Sequence, residues 1–275
     1  MTPVDRTDEG AAVKALVAEV FSASAETYDE VVDFFRPFGR ALVAAADLRR
    51  GATVLDVASG RGACLYPALE AVGPEGRVLG IDLAKGMVER LDAGLAAAGI
   101  ANAEVRVGDA EAIDVPDSSV DAVTAGFVIF FCPDPDAVLA EIARVLKPGG
   151  VVALSHFDGD VPSKWLREIG EELFGPSDPR PSEAFDLASV LEPALAHAGF
   201  AEIVGVDVFE PLRFADVAEV ERWHRSHFAR LLIESLTPDQ LTLYRQRVAE
   251  HLEPQRTERG YELVQRARMT TARRR

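Results

Sequence analysis

The chain has few cysteines, more acidic than basic residues and no long apolar run. Its two cysteines, Cys64 and Cys132, give no spaced ligand set for zinc or an iron–sulfur cluster. The formal net charge of −16 disfavours DNA and RNA as partners, because phosphates require a positive surface. The only basic run, Arg273–Arg275, ends the sequence and is interpreted as a solvated tail.

No apolar stretch approaches the ~20 residues that span a bilayer, so no membrane contact is expected. Residues 1–10 are polar and acidic, unlike a secretory signal, and the default prediction is therefore a cytoplasmic protein. The remaining composition, with 48% hydrophobic and 27% charged residues, is typical of a globular protein. At 275 residues the chain accommodates one large domain with a small accessory part.

Strand and helix patterns alternate through the first half of the chain, after an N-terminal helical region. Residues 1–12 are expected to fray, and helices are expected at 13–22 and 26–48, the second broken at Arg36-Pro37. The predicted strands that follow are 53–57, 77–81, 103–107, 120–126 and 151–156. The predicted helices between them are 63–72, 84–98 and 135–146, with a turn at 147–150. Such alternation predicts a parallel sheet with helices on both faces.

The second half of the chain is predicted to complete the same sheet. Its predicted elements are helices at 162–174 and 186–198, a strand at 201–209, a polar helical insert at 215–253 and a last strand at 261–272. The result is an α/β fold, a Rossmann-like seven-stranded, mostly parallel sheet with a helical lid between its last two strands. The expected divisions are an N-terminal cap of residues 1–48, a core of 49–214 and 257–275, and a lid of 215–256.

A glycine-containing turn follows the first predicted strand, in the segment TVLDVASGRGACL at residues 53–65. The turn contains Gly60 and Gly62, and a helix is expected to open near Ala63. Asp56 lies near the end of the strand, and Asp82 ends the next strand along the chain. This order of elements is typical of α/β sheets that bind nucleoside-containing cofactors: a strand, a glycine turn, a helix, a second strand and an acid at its end.

A dinucleotide is disfavoured as the cofactor. Its fingerprint G-x-G-x-x-G/A requires a small last residue, and Leu65 stands there instead. Asp56 would also repel a pyrophosphate, whereas it can reach the ammonium group of a bound amino-acid moiety. S-adenosylmethionine carries such an ammonium group together with a carboxylate and a sulfonium.

The remaining pieces of the pattern suit the same cofactor. Asp82 is placed to accept both ribose hydroxyls, and Asp109 could accept from the adenine amino group while the Ala110 N–H faces a ring nitrogen. Free N–H groups at the helix start near Ala63 suit the carboxylate of the methionine part. Structural alternatives stay open, since Asp56 can cap the turn, Asp82 can cap a helix and Asp109 can be a plain loop acid.

The block from Val54 to Gly150 resembles the class I S-adenosylmethionine-dependent methyltransferases. It looks most like the branch with ubiquinone/menaquinone C-methyltransferases and natural-product methyltransferases. The matching segments are VLDVASGRG (54–62), VLGIDLAKGMVERL (78–91), GDAEAIDVPDSSVDAV (108–123) and ARVLKPGG (143–150). The cofactor-binding residues expected from pattern and resemblance are Asp56, Ala58, Gly60, Gly62, Asp82, Leu83, Met87, Gly108, Asp109, Ala110 and Phe127.

Two departures from the family pattern stand out. Ala58 occupies a position where the family most often has glycine, and alanine is small enough to keep the turn. Phe130-Phe131 replaces a histidine that many relatives carry after the fourth strand, which suggests an apolar pocket wall instead.

Four residues are candidates for catalysis. Tyr28 lies in an N-terminal helix that in similar proteins folds over the methionine end of the cofactor, or it is an ordinary half-buried aromatic. His156 ends the fifth strand on the side where substrates enter, or it is a polar strand terminus. His224 and His227 lie near one face of a lid helix.

Metal chemistry is not expected. No third ligand accompanies the two lid histidines, and Asp158 and Asp160 are interpreted as solvated loop acids.

The predicted reaction is in-line displacement. A nucleophilic O, N or C atom of a mostly apolar small molecule attacks the sulfonium methyl group, and S-adenosylhomocysteine leaves. Secondary metabolism is the expected setting, and the oligomeric state stays open between monomer and homodimer. The alternatives are a protein that binds S-adenosylmethionine but catalyses another reaction such as cyclisation, a nicotinamide oxidoreductase, and a non-catalytic binding module.

Overall fold

A central sheet with helices on both faces organises the protein, as seen in a computed structural model that describes residues 6–157, 162–176 and 187–275. The helices are α1 (Arg6–Ser24), α2 (Phe35–Ala46), α3 (Leu65–Val72), α4 (Lys85–Ala97), α5 (Pro135–Val145), α6 (Pro162–Phe174), α7 (Leu187–His197), α8 (Val217–Arg225), α9 (Arg230–Ser235) and α10 (Pro238–Leu252). The strands are β1 (Thr53–Val57), β2 (Arg77–Asp82), β3 (Ala103–Val107), β4 (Val120–Gly126), β5 (Leu146–Phe157), β6 (Phe200–Phe214), β7 (Arg256–Thr257) and β8 (Gly260–Arg274).

The strand order is β3-β2-β1-β4-β5-β8-β6. The first five strands in this order pair in parallel, and β8 runs antiparallel to both β5 and β6. The prediction of an α/β fold with a mostly parallel sheet is therefore confirmed. One further strand, the two-residue β7, pairs with β8 and is not predicted from the sequence.

Strand β1 lies in the middle of the sheet and is buried on both faces. Val54, Leu55 and Val57 are fully buried, as is typical of a parallel strand covered by helices on either side. In register, Asp56 lies between Gly80 of β2 and Thr124 of β4. Because the carboxyl ends of parallel strands meet at one edge, the loops after β1, β2, β3 and β4 come together there.

The N-terminal helices differ from the prediction. Residues 6–12 are helical within α1, so the expectation of a frayed end is wrong for them, and residues 1–5 lie outside the described part. The helix expected at 26–48 begins only at Phe35, after a run of turns. Pro37 falls in the first turn of α2, where its missing N–H has no helical partner to lose.

The turn expected at 147–150 is a bulge inside β5. Val120 pairs with Leu146 and Ala122 with Val151, so these four residues of β5 face one residue of β4. Gly149 has a φ of 75°, a conformation that glycine adopts without strain.

Helices α8 to α10 lie between β6 and β8 in the chain, at the place predicted for the lid. The flanking strands are longer than predicted, and β6 pairs with β8 from Phe200 to Phe214. Strand β8 extends to Arg274, so the interpretation of Arg273–Arg275 as a solvated tail is wrong for its first two residues. Trp223 of α8 packs against Phe34, with ring centroids 5.6 Å apart, and Phe34 lies 6.0 Å from Phe157 at the end of β5. The lid therefore contacts the carboxyl edge of the sheet. The boundaries of cap, core and lid stay predictions.

None of the helices in the described residues combines the length and the apolar character that a membrane span requires.

Candidate active site

A cavity of about 2060 Å³ runs along the carboxyl edge of the sheet and reaches beneath the lid. A pocket for one small ligand has a volume of roughly 300–1,000 Å³, so this cavity has room for a cofactor and a second molecule. Its lining includes these residues predicted from the sequence: Tyr28, Asp56, Ala58, Gly60, Gly62, Asp82, Leu83, Met87, Gly108, Asp109, Ala110, Phe127, His224 and His227.

His156 is not among the residues that line this cavity, although the sequence suggests it as a catalytic candidate. It is buried on β5, with Nδ1 2.8 Å from the carbonyl oxygen of Phe157. Its neighbours Ser155 and Phe157 do line the cavity, and side chains along a strand alternate between faces. The alternation therefore puts His156 on the other face. Asp158 and Asp160 lie outside the described residues.

Asp56 is a buried carboxylate with one oxygen in use. Thr124 Oγ1 donates to its Oδ1 at 2.7 Å, whereas Oδ2 has no hydrogen-bond partner among the residues that the structure describes. Burial raises the pKa of Asp56 to about 7, against the opposing effects of the Thr124 hydrogen bond and of the Leu65 backbone N–H, which lies too far from ideal geometry to count as a hydrogen bond to Oδ2. Such an atom favours a cationic ligand, because a positive group would supply both the missing partner and the missing charge.

Asp82 is held by the backbone on both sides. Gly60 N donates to Oδ2 and Ala84 N donates to Oδ1, each at 2.8 Å. Burial raises the pKa of Asp82, and these two hydrogen bonds oppose the rise. The carboxylate is thus fixed at the end of β2, and the remaining lone pair on each oxygen can accept from a diol. Ala84, rather than Asp82, is the N-cap of α4.

The missing side chain serves a different purpose at each of the two turn glycines. A Cβ on Gly62 would lie 2.8 Å from the Tyr66 ring and 2.9 Å from Leu91, so the protein's own packing requires glycine there. A Cβ on Gly60 would meet nothing closer than 4.0 Å, which leaves room for a ligand against the backbone. Helix α3 begins at Leu65, two residues later than predicted.

Asp109 carries an ion pair that sequence reasoning missed. Lys14 of α1 lies 2.7 Å from Asp109 Oδ2 and 2.6 Å from Glu111 Oε2. Burial lowers the pKa of Lys14, but its hydrogen bonds to the two carboxylates outweigh this and raise it. The other Asp109 oxygen accepts from Glu111 N at 2.9 Å, so the loop after β3 is held from both sides.

Aromatic rings form the wall between the sheet edge and the lid. Phe127 lies 4.5 Å from Phe157 and 5.3 Å from Phe35, measured between ring centroids. Phe127, the residue after β4, also has a φ of 55°. This backbone conformation is strained for a bulky residue, and it ends the extended course of the strand. Phe130 and Phe131 line the same cavity.

The lid contributes His227, which lies beside Tyr28 with ring centroids 4.6 Å apart. Its Nδ1 is 2.9 Å from the Trp223 carbonyl oxygen, and its Nε2 has no partner in the described part of the chain. Burial lowers the pKa of His227 to about 4, so the ring is neutral at pH 7. Burial raises the pKa of Tyr28 well above its usual value.

His224 is buried in the same wall. Its Nδ1 lies 2.6 Å from the Tyr244 hydroxyl, and its Nε2 finds no partner within residues 6–157, 162–176 and 187–275. Burial lowers the pKa of His224 to about 3. No metal-binding group of three or more His, Cys, Asp or Glu side chains occurs in these residues.

Comparison with known proteins agrees with this geometry. Residues 54–150 match a family model described as a methyltransferase domain. Nocamycin O-methyltransferase of Saccharothrix syringae is 36% identical over 240 residues, covering 80% of this chain and 85% of that protein. Aklanonic acid methyltransferase DauC of Streptomyces sp. (strain C5) is 41% identical over 143 residues, or 52% of this chain and 65% of that protein.

The YcgJ protein of Bacillus subtilis shares the fold, with a TM-score of 0.60 at 18% identity over 86% of this chain and 98% of that one. The chain belongs to the class I S-adenosylmethionine-dependent methyltransferases. It is a methyltransferase, and its cofactor is S-adenosylmethionine.

The residues present fit this cofactor. Asp56 Oδ2, which has no hydrogen-bond partner in the described ranges, suits its ammonium group. The fixed Asp82 carboxylate suits a ribose diol, and the open side of Gly60 admits a ligand against the backbone.

Proposed function

We propose that this enzyme methylates a hydroxyl oxygen of a mostly apolar small molecule, with His227 as the general base. The observation that carries the proposal is the neutral His227 ring, which lines the cavity beside Tyr28 and leaves Nε2 without a partner in the described residues. The relative from Saccharothrix syringae, an O-methyltransferase, supports oxygen as the acceptor atom.

The cofactor is assigned to the carboxyl ends of β1 to β3. Asp82 would accept from the ribose hydroxyls, Asp56 would pair with the ammonium group, and Asp109 with the Ala110 N–H would contact adenine. S-adenosylmethionine supplies an electrophilic methyl group when it is bound.

The protein's own part is positioning, exclusion of water and proton transfer. The aromatic rings around Phe127 and Phe157 exclude water from the acceptor, because they offer it few hydrogen-bond partners. His227 accepts the hydroxyl proton at Nε2 while the acceptor oxygen gains its bond to carbon, so the O–H electron pair stays on oxygen. Positioning of two reactants is a large part of a bimolecular barrier. Proton transfer to a placed base adds typically 10²–10⁴-fold in rate, and the lowered pKa of His227 puts its contribution at the lower end of this range.

The test uses S-adenosylmethionine labelled with ¹³C at the methyl group and a panel of hydroxylated aromatic and alicyclic acceptors. The expected product shows a methoxy ¹³C resonance together with one equivalent of S-adenosylhomocysteine. His227→Gln should lower kcat by about 10²-fold or more and leave cofactor affinity unchanged. The exposed His197→Gln serves as the control and should behave like the wild type.

Label that arrives on carbon or nitrogen would contradict the acceptor assignment. Full activity of His227→Gln would contradict the assigned base.

A further inference from the structure

The lid wall contains three buried polar atoms that lack partners in the described residues: Trp223 Nε1, His224 Nε2 and His227 Nε2. All three residues line the cavity, and the Trp223 ring lies 5.1 Å from the His224 ring and 5.2 Å from the His227 ring. An unpaired buried polar group destabilises the folded state, and native proteins contain few of them. Three such atoms on adjacent rings indicate a site in which a polar ligand group supplies the missing hydrogen bonds.

The surroundings of His227 fix which of its nitrogens carries the proton. Nδ1 lies 2.9 Å from the Trp223 carbonyl oxygen, and a carbonyl can only accept. Ser226 Oγ donates to the same carbonyl at 2.7 Å and lies 2.9 Å from Nδ1, where it can accept. The proton of the neutral ring is therefore on Nδ1, and Nε2 presents a lone pair.

The surroundings of His224 fix the opposite tautomer. The Tyr244 hydroxyl is fully buried, and His224 Nδ1 at 2.6 Å is its one acceptor in the part of the chain that is described. A buried hydroxyl hydrogen needs an acceptor, so Tyr244 donates to Nδ1. The proton of the neutral His224 ring is then on Nε2, which is a donor.

The three neighbouring rings thus carry two donors, Trp223 Nε1–H and His224 Nε2–H, and one acceptor, His227 Nε2. The group that complements this set is a hydroxyl next to a carbonyl-type oxygen. On binding, the hydroxyl turns its hydrogen from the adjacent carbonyl oxygen to His227 Nε2, and the carbonyl oxygen accepts from His224 and Trp223 in its place. An isolated hydroxyl would leave both donors unpaired.

We propose that the acceptor molecule carries its reacting hydroxyl adjacent to a carbonyl oxygen, as in an enolised 1,3-dicarbonyl or an ortho-hydroxyaryl ketone, and that Tyr244 is the positioning residue that makes His224 a donor. This inference rests on the proposed function, because it assumes that the acceptor is a hydroxyl held at His227.

The first test measures the tautomers directly by ¹⁵N NMR of the full-length protein labelled at histidine, with bound S-adenosylhomocysteine and resonances assigned through single His→Gln variants. The expected spectrum has His224 protonated on Nε2 and His227 protonated on Nδ1. Tyr244→Phe should change the His224 shifts and leave those of His227 in place. Tyr261→Phe is the matched control, because that hydroxyl accepts from Arg256 at 2.8 Å and does not line the cavity. A wild-type His224 protonated on Nδ1 overturns the assignment.

The second test compares the binding of 1-hydroxy-2-acetonaphthone with that of 2-ethyl-1-naphthol, which keeps the hydroxyl and lacks the carbonyl. Calorimetry on the complex with S-adenosylhomocysteine should show the ketone bound about 10-fold to 100-fold more tightly. Tyr244→Phe should remove most of that preference without changing the affinity for the naphthol, which a general loss of structure would not do.

Equal binding of the two probes, or no measurable binding of the ketone, overturns the substrate assignment. Failure of the proposed function would appear separately, as no S-adenosylhomocysteine formed with any hydroxylated acceptor. Neither the NMR nor the calorimetric readout depends on turnover.

Discussion

Asp56→Asn is expected to stabilise the ligand-free protein above neutral pH. The Asp56 carboxylate is buried, its Oδ2 lacks a partner in the described residues, and its pKa rises from 3.8 to about 7. At about 1.4 kcal/mol per pKa unit, this displacement corresponds to about 4 kcal/mol of lost stability when the group is fully ionised. Because the folded state holds the proton more tightly, stability is lost as pH rises from 3.8 to about 7, and the loss is complete above that.

Asparagine carries no charge, so it removes the pH-dependent part of this cost. Its Oδ1 can still accept from Thr124, while its amide group introduces an unpaired donor that costs about 1–3 kcal/mol at every pH. The free energy of unfolding of the variant minus that of the wild type should therefore increase by about 2.5 kcal/mol between pH 5 and pH 8.

Urea unfolding of both proteins at half-unit pH intervals measures this difference. Saturating S-adenosylhomocysteine should stabilise the wild type most at high pH, because its ammonium group pairs with the carboxylate, and should stabilise Asp56→Asn much less. A difference between the two ligand-free proteins that stays constant from pH 5 to pH 8 would refute the reasoning.

Three further substitutions test other parts of the site. Asp82→Ala should abolish most of the rise in melting temperature that S-adenosylmethionine causes, because it removes the ribose acceptor and strands two backbone N–H groups; differential scanning fluorimetry measures this. Lys14→Met should weaken S-adenosylhomocysteine binding about 3-fold to 10-fold in calorimetry, because Asp109 and Glu111 lose the cation between them. Ala58→Gly should raise the free energy of urea unfolding by up to about 1 kcal/mol, because alanine is held there at a φ of 55°.

Helix α4 and its C-cap offer a matched control for each of these variants. For Asp82→Ala the control is Asp92→Ala, which removes an exposed carboxylate, and for Lys14→Met it is Lys85→Met, which removes an exposed, ion-paired lysine. For Ala58→Gly the control is Ala98→Gly, at a negative φ, where glycine should destabilise the protein. Any control that reproduces the effect of its partner variant would contradict the corresponding argument.

The cofactor end of the cavity could be predicted because its signals are local in the sequence. Strand, glycine turn and acid occur within a few residues of one another, and Asp56 and Asp82 are brought together by the parallel order of neighbouring strands alone. Lys14 could not be found in this way. It reaches Asp109 across 95 residues, from a helix whose sequence gives little amphipathic signal.

The position of His156 could not be predicted, for a different reason. The sequence places it at the end of the fifth strand, but which strand face it occupies depends on the register with β4. That register shifts at the bulge between Leu146 and Val151, and the pattern of residues does not reveal the shift. Likewise, the pair His224–Tyr244 joins two lid helices, so the spacing of His224 and His227 alone gives no information on their tautomers.

Within the described residues, the buried unpaired polar atoms of the cavity wall lie in two groups that differ in charge: Asp56 Oδ2 and Ser59 Oγ at the sheet edge, and Trp223 Nε1, His224 Nε2 and His227 Nε2 under the lid. At the sheet edge, Asp56 offers a carboxylate oxygen, which suits a cation; under the lid, Trp223, His224 and His227 offer only neutral donors and acceptors. A charged ligand and a neutral ligand would therefore each bind stably at one end and poorly at the other. The cavity can therefore bind the cationic cofactor and a neutral acceptor at separate ends. Burial keeps the two imidazoles uncharged, whereas the Asp56 carboxylate is stabilised only by a positive partner.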